Sequence, residues 1–166
     1  MRFRIDQVFG ASADAVIAAL VDPSYLAALG GLPDLGAPEI RAQTVEGSKV
    51  TQELVFRFTG RLPNVVTRVI DPAKLSWTEV DEIDIASRRC AFRMIPLHYP
   101  KFFRCDGTWS VTENSASSAR RVIEGDMKVN SPVPFVGGQV EKAIVSGLRE
   151  RLAAEPAVFA RWHATR

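Results

Sequence analysis

Alternating apolar and polar positions open the chain. Phe3, Ile5 and Phe9 fall on one face and Arg4, Asp6 and Val8 on the other, the period of a half-buried strand. Gly10 ends it. The pattern then turns helical: Ser12 is placed to cap a helix starting at Ala13, and Asp14 stands in its first turn, where the helix dipole favours an acid. That helix should break at Asp22-Pro23, a pair that starts a second short helix carrying Tyr25, Leu26 and Leu29 and stopping at Gly30-Gly31. A long run of strand signals follows. Residues 40–45 and 50–58 flank the turn-prone Glu46-Gly47 and read as a hairpin. Further strands are predicted over 64–70, 75–83, 88–95, 102–112 and 120–129, with a polar hairpin loop at 114–118 and Pro63 as punctuation. Beyond Asn130-Ser131-Pro132 the period is helical again. Val140, Ile144, Leu148 and Leu152 recur every fourth residue, while Glu141, Lys142, Arg149, Glu150 and Arg151 fall mainly on the other side. The spacing predicts a long amphipathic helix over about 137–154 that Pro156 should kink or interrupt, with Val158, Phe159 and Trp162 renewing an apolar face after it.

A long single helix must bury its stripe, and the only large apolar surface this chain offers is a twisted antiparallel sheet. The predicted class is therefore α+β. The stretch Pro132-Val133-Pro134-Phe135-Val136-Gly137-Gly138-Gln139-Val140-Glu141-Lys142-Ala143 followed by Phe159-Ala160-Arg161-Trp162, together with Phe3-Arg4-Ile5-Asp6 and Asp22-Pro23-Ser24-Tyr25-Leu26, resembles an uncharacterised branch of the START-like, or helix-grip, superfamily. Polyketide cyclases, steroidogenic lipid-transfer domains and coenzyme Q-binding proteins belong to that superfamily. The resemblance spans essentially the whole chain. It implies one domain over residues 1–166, with the C-terminal helix lying across the sheet and a cavity between them for an apolar or amphipathic molecule.

Composition adds mainly exclusions. The 166 residues are 46% hydrophobic and 24% charged, which is ordinary for a globular chain and excludes disorder. Basic and acidic residues number 21 and 19, and the resulting charge of +2 argues against a nucleic-acid groove or an anionic membrane surface as partner. The longest apolar stretch, 13–21, is too short for a bilayer and no secretory signal is evident, so a cytoplasmic location is expected. Cys90 and Cys105 make no disulfide framework. If the hairpin tip between their strands is centred on Leu97-His98, they face each other across it as reduced thiols, with Phe92 opposite Phe103.

Fingerprints of dinucleotide, P-loop, zinc-protease and hydrolase-elbow chemistry are absent, and two histidines without ligand spacing make no metal site. Neither cofactor nor metal is expected. Gly137-Gly138 before the last helix reads either as an anion-binding turn or as a close approach of helix to sheet. Glu79 and Asp81 share a strand face with Leu75 and Trp77. Either they enter the cavity, where desolvation would raise their pKa values, or the strand flares and they meet solvent, Arg88 and Arg89. The apolar loop Ile95-Pro96-Leu97-His98-Tyr99-Pro100 is either a cavity mouth, with His98 and Tyr99 reaching a ligand, or a packed turn.

The expected cavity wall is Phe56, Phe58, Trp77, Phe92 and Trp109 from the sheet with Val140 and Ile144 from the helix, joined by Glu79, His98 and Tyr99. Glycines 107, 125 and 147 are expected to leave it room. Non-catalytic binding of a hydrophobic or amphipathic small molecule (a lipid, isoprenoid or polyketide-like compound) is the leading functional expectation. A cyclase, aromatase or dehydratase would need two of His98, Tyr99 and Glu79 to converge. A co-chaperone-like interaction module would fill the groove with its own side chains, and a cavity below roughly 100 Å³ would favour it, since ligand pockets usually run to ~300 Å³ or more. Pairing as a homodimer stays open.

Overall fold

The computed structural model describes residues 1–62, 64–68, 70–131 and 135–166. β1 (Arg2–Phe9) sends Phe3, Ile5, Gln7 and Phe9 inward. α1 (Ala13–Leu20) starts where the Ser12 hydroxyl accepts from Ala15 N at 3.3 Å, and the Glu113 carboxylate accepts from Ala13 N at 3.1 Å. Both are free amides of a helix start, so one local and one distant side chain fix where the helix begins. α2 (Pro23–Ala28) is capped by Asp22, which accepts from Ser24 N at 2.8 Å, and runs into a 3-10 turn over Leu29–Gly31. β2 (Glu39–Glu46) and β3 (Lys49–Arg57) form the expected hairpin, turned at Gly47 with φ +62°. β4 (Ser76–Asp84), β5 (Arg89–Pro96), β6 (Phe103–Ser115) and β7 (Ser118–Val129) complete one seven-stranded antiparallel sheet in the order β1-β7-β6-β5-β4-β3-β2. Consecutive strands β1 and β2 stand on opposite edges, and α1 and α2 make the crossing between them. The long helix, here Val136–His163, packs against β1 and β7 and touches α2, which is the helix-grip arrangement. No single helix among the described residues is long and apolar enough to cross a membrane.

Several sequence expectations give way here. Residues 64–70 do not form a strand: Asn64–Thr67 makes a single helical turn, α3, and Pro63 and Val69 lie outside the described residues. So do Pro132, Val133 and Pro134 of the family-like stretch. The C-terminal helix α4 does not stop at Pro156 but runs 28 residues through it. A helical proline leaves the carbonyl four residues earlier without its donor, here Leu152 O, and Gln7 Nε2 supplies one from β1 at 2.6 Å. Arg151 is buried rather than on the solvent side, as is Glu155. Val140 is fully buried, whereas Ile144 and Leu148 are half-buried because a cavity lies beneath them.

The β5–β6 tip is longer than expected. Pairing stops at Met94–Cys105, Tyr99 turns the loop at φ +56°, and Cys90 faces Trp109 instead of Cys105. The slip of four positions preserves the parity of both strands, so the two buried, free cysteines still point inward.

One inward row runs Phe3–Gly125–Gly107–Phe92–Asp81–Gln52 across six strands. A Cβ on Gly107 would overlap Phe92 Cζ and the Glu124 carbonyl oxygen, and one on Gly125 would overlap Phe3 Cζ. The rings of Phe3 and Phe92 thus occupy the space those glycines vacate, and only Gly147 of the three borders the cavity. Gly107→Ala should therefore destabilise by about 1–3 kcal/mol in urea unfolding, the usual cost of overpacking. Gly138→Ala, exposed in α4 with open space at its Cβ, should be neutral or slightly stabilising.

Candidate functional site

Strand alternation along β4 turns Trp77, Glu79, Asp81 and Ile83 toward α4. Asp81 accepts from Gln52 Nε2 at 2.9 Å, and Gln52 Oε1 in turn accepts from Gln43 Nε2 at 3.1 Å. Gln43 also donates to Val21 O at 2.9 Å, tying the end of α1 to the sheet. Glu79 sits in the next row between Leu54 and Met94, and its carboxyl group has no hydrogen-bond partner among the described residues. Trp77 lies one row further, stacked on Phe56 at 5.8 Å and edge-on to Phe103 at 6.1 Å between ring centroids.

A second polar group comes from four elements. Glu155 of α4 accepts from Gln7 of β1 at 2.8 Å, from the Tyr25 hydroxyl of α2 at 3.0 Å and from Arg121 of β7 at 3.4 Å. Arg121 also lies over the Trp109 ring, 4.9 Å from its centroid. Arg151, one helical turn before Glu155, donates to the carbonyls of Leu35 at 2.9 Å, Leu29 at 3.2 Å and Pro33 at 3.4 Å. These bonds lash the loop after α2 to the helix.

The two groups meet in a space under α4 with two abutting lobes. The outer lobe, about 90 Å³, is largely apolar and includes Phe58, Leu62, Leu75, Phe103, Met127 and Ile144 in its wall. The inner lobe, about 100 Å³, carries Gln52, Glu79, Asp81, Arg121 and Glu155 among Leu20, Leu26, Leu54, Phe56 and Trp109. Leu35, Trp77, Met94, Leu148 and Arg151 border both lobes and form the septum between them.

Burial dominates the electrostatics. Desolvation, and after it the charge of Asp81, pushes the Glu79 carboxyl up to about 8. Desolvation also raises Asp81, against the hydrogen bond from Gln52, and pushes the Cys90 thiol beside it up as well. The Tyr25 hydroxyl is raised by burial and by Glu155, while burial lowers Arg151 against the pull of Glu155 and Glu79. Near neutral pH the Glu79–Asp81 pair therefore holds a proton and works as a hydrogen-bond donor as well as an acceptor.

Of the sequence-derived residues, Phe56, Trp77, Glu79 and Trp109 line the inner lobe, and Phe58, Trp77 and Ile144 the outer. Phe92, His98, Tyr99 and Val140 line neither. Phe92 lies over Gly107, Val140 is buried on the underside of its helix, and His98 and Tyr99 stand exposed on the hairpin tip, where the Tyr99 ring meets that of Phe102. Sequence reasoning missed Gln52, Arg121, Arg151 and Glu155. Their signal was parity: Gln52 falls in step with Leu54 and Phe56, Arg121 with Ile123 and Met127, and the stripe Ile144–Leu148 continues to Arg151 and Glu155.

A seven-stranded sheet gripping one long helix over such a cavity defines the START-like fold, and several solved structures superpose on this chain. A protein from Thermus thermophilus does so with a TM-score of 0.65 at 19% identity, over 96% of this chain and 94% of that one. The Zhui aromatase/cyclase from a Streptomyces species gives 0.63 at 17%, over 97% and 92%. A START superfamily protein from Mycobacterium smegmatis gives 0.54 at 15%, over 94% and 97%. At these identities the likeness is one of fold. Within the class, residues 4–162 match the model of the protein family of unknown function DUF2505, and the chain belongs to that family. No curated protein matches the sequence.

Proposed function

We propose that this protein binds an amphipathic small molecule without transforming it, the apolar part in the outer lobe and the polar end in the inner one. The observation that carries this reading is the gathering of Glu79, Asp81, Arg121, Arg151 and Glu155 around one lobe of a cavity whose other lobe is largely apolar. Buried ionisable groups cost stability that a well-packed apolar core would not, so their concentration beside a cavity supports a role in recognition. The enzyme alternative, for which the aromatase/cyclase is an analogue in fold, needed two converging acid–base groups. His98 and Tyr99 line neither lobe, which leaves Glu79 alone of the three candidates.

Each lobe is near the roughly 100 Å³ that separates a self-filled groove from a pocket, and this favours an interaction module as the second reading. The two readings divide on the septum. A ligand large enough to span both lobes has to displace Trp77, Met94 or Leu148, so binding should quench tryptophan fluorescence. Burying 200 Å² of apolar ligand surface is worth about 5 kcal/mol before the cost of association, enough for weak, broad binding. Titration with fatty acids, isoprenoids and flat aromatics should show saturable quenching by at least one class. Gly147→Leu, whose Cβ fits 3.6 Å from Asp34 Oδ2 and whose side chain fills the outer lobe, should weaken it tenfold or more. No quenching by any class, or quenching indifferent to Gly147→Leu, would establish the interaction reading instead.

A further inference from the structure

The inner lobe carries more information than a preference for amphiphiles. Most of its polar valences are already committed. Glu155 is held by Gln7, Tyr25 and Arg121, and Arg151 spends its fork on three backbone carbonyls. Four groups remain open among the described residues. Trp77 Nε1 and Arg121 Nε are buried donors without an acceptor. Asp81 Oδ1 is a buried acceptor with no nitrogen or oxygen donor, only the weakly donating Cys90 thiol beside its carboxylate. The Glu79 carboxyl group is the fourth. Trp77 and Asp81 are each more than nine-tenths buried, and all four residues line the lobe.

Given the binding role, on which the inference rests, we propose that the inner lobe receives an uncharged hydroxyl group, and that it discriminates against both carboxylate and ammonium ends on the same chain. The open groups are of both kinds, and a hydroxyl both donates and accepts, so it can serve the donors and the acceptors of this lobe alike. A carboxylate only accepts and would leave Asp81 unmet. An ammonium only donates and would leave the indole N–H and Arg121 Nε facing a cation.

Charge balance points the same way. Glu79 and Asp81 from β4 and Glu155 from α4 face Arg121 from β7 and Arg151 from α4, with the neutral Tyr25 of α2 and Cys90 of β5 beside them. Three carboxyl groups that keep one proton balance two guanidiniums. A charged ligand upsets that balance, whereas a hydroxyl leaves it untouched.

The test is isothermal titration of the intact protein at pH 7 with 1-octanol, octanoate and octylammonium, which share one chain and differ in one end group. Octanol should bind at least tenfold more tightly than either ion. Trp77→Phe, which keeps the ring and deletes the N–H, should weaken octanol about three- to tenfold, the usual worth of one neutral hydrogen bond, and leave octylammonium, which has no acceptor for that N–H, unchanged. Octanoate or octylammonium binding as tightly as octanol overturns the proposal while sparing the binding reading, as does unchanged octanol affinity in Trp77→Phe. Failure of all three compounds overturns the proposal, and the binding reading falls with it only where the isoprenoid and flat-aromatic titrations fail too. If Trp77→Phe does not fold, the ranking of the three in the wild type decides alone.

Discussion

Replacing Glu155 with alanine should lower the unfolding free energy by about 3–5 kcal/mol, a large part of the 5–15 kcal/mol typical of a folded chain. The reason is what the substitution leaves behind. Glu155 is 3% exposed and is the only charged partner within hydrogen-bond reach of Arg121 among the described residues. Without it a guanidinium, the Tyr25 hydroxyl and part of the Gln7 amide stay buried without their acceptor. Gln7 keeps its bond to Leu152 O, so the helix should still run through Pro156. Glu155→Gln retains an acceptor and loses the charge, and should cost less than the alanine. The double variant Arg121→Met with Glu155→Leu removes both charges and should recover most of the loss, because apolar residues of similar volume commonly replace a buried ion pair at little cost. Urea unfolding of the three variants measures all of this. A loss below about 1 kcal/mol for Glu155→Ala would show that the buried cluster does not hold α4 to β1, β7 and α2.

Much of this architecture was legible in the residues, for identifiable reasons. Period-two alternation in β1 and β4, the caps at Ser12 and Asp22-Pro23 and the four-residue stripe of α4 are local signals that tertiary structure did not override. Where the reading failed, a distant partner decided. Residues 64–70 are rich in β-branched side chains and read as a strand, yet the chain makes a helical turn there beside α4. Pro156 should have broken a helix, but a glutamine from the first strand took up the stranded carbonyl. Register depended on the length of one loop, which a shift of four positions alters without disturbing any face. The polar half of the candidate site was hidden for a similar reason. Arg151 read as a charge on the solvent side of its helix, and nothing local beyond parity marks Arg121 or Glu155 for burial before β1, β7, α2 and α4 come together, since charged side chains are seldom buried unpaired. Glu79 and Asp81 were placed on the right face, with their environment left open between cavity and solvent.

Stability should be greatest in mildly acidic solution and should decline as pH rises from about 5 to 8. Glu79 and Asp81 are both raised in the folded protein, Glu79 from 4.5 to about 8. Between those values the folded chain keeps a proton that the unfolded chain has released, so each step up in pH favours unfolding. The effect is absent below the unfolded value and complete above the folded one. Asp6, Asp22 and Asp84 are lowered, by their hydrogen bonds and by the arginines beside Asp6 and Asp22, and they lose stability only as pH falls through the acid range. The two tendencies place the optimum between them. A full shift on Glu79 corresponds to a few kcal/mol at 1.36 kcal/mol per pH unit, trimmed by whatever solvent enters the inner lobe. For a chain of this length that is a fall in Tm on the order of 10 °C between pH 5 and pH 8. Glu79→Gln keeps the shape and removes the titrating group. It should flatten the slope, and at pH 8 it should melt above the wild type. Melting curves by circular dichroism across this range give the answer. A wild-type Tm that stays level or rises from pH 5 to 8 would place Glu79 in contact with solvent and leave the inner lobe without its proton.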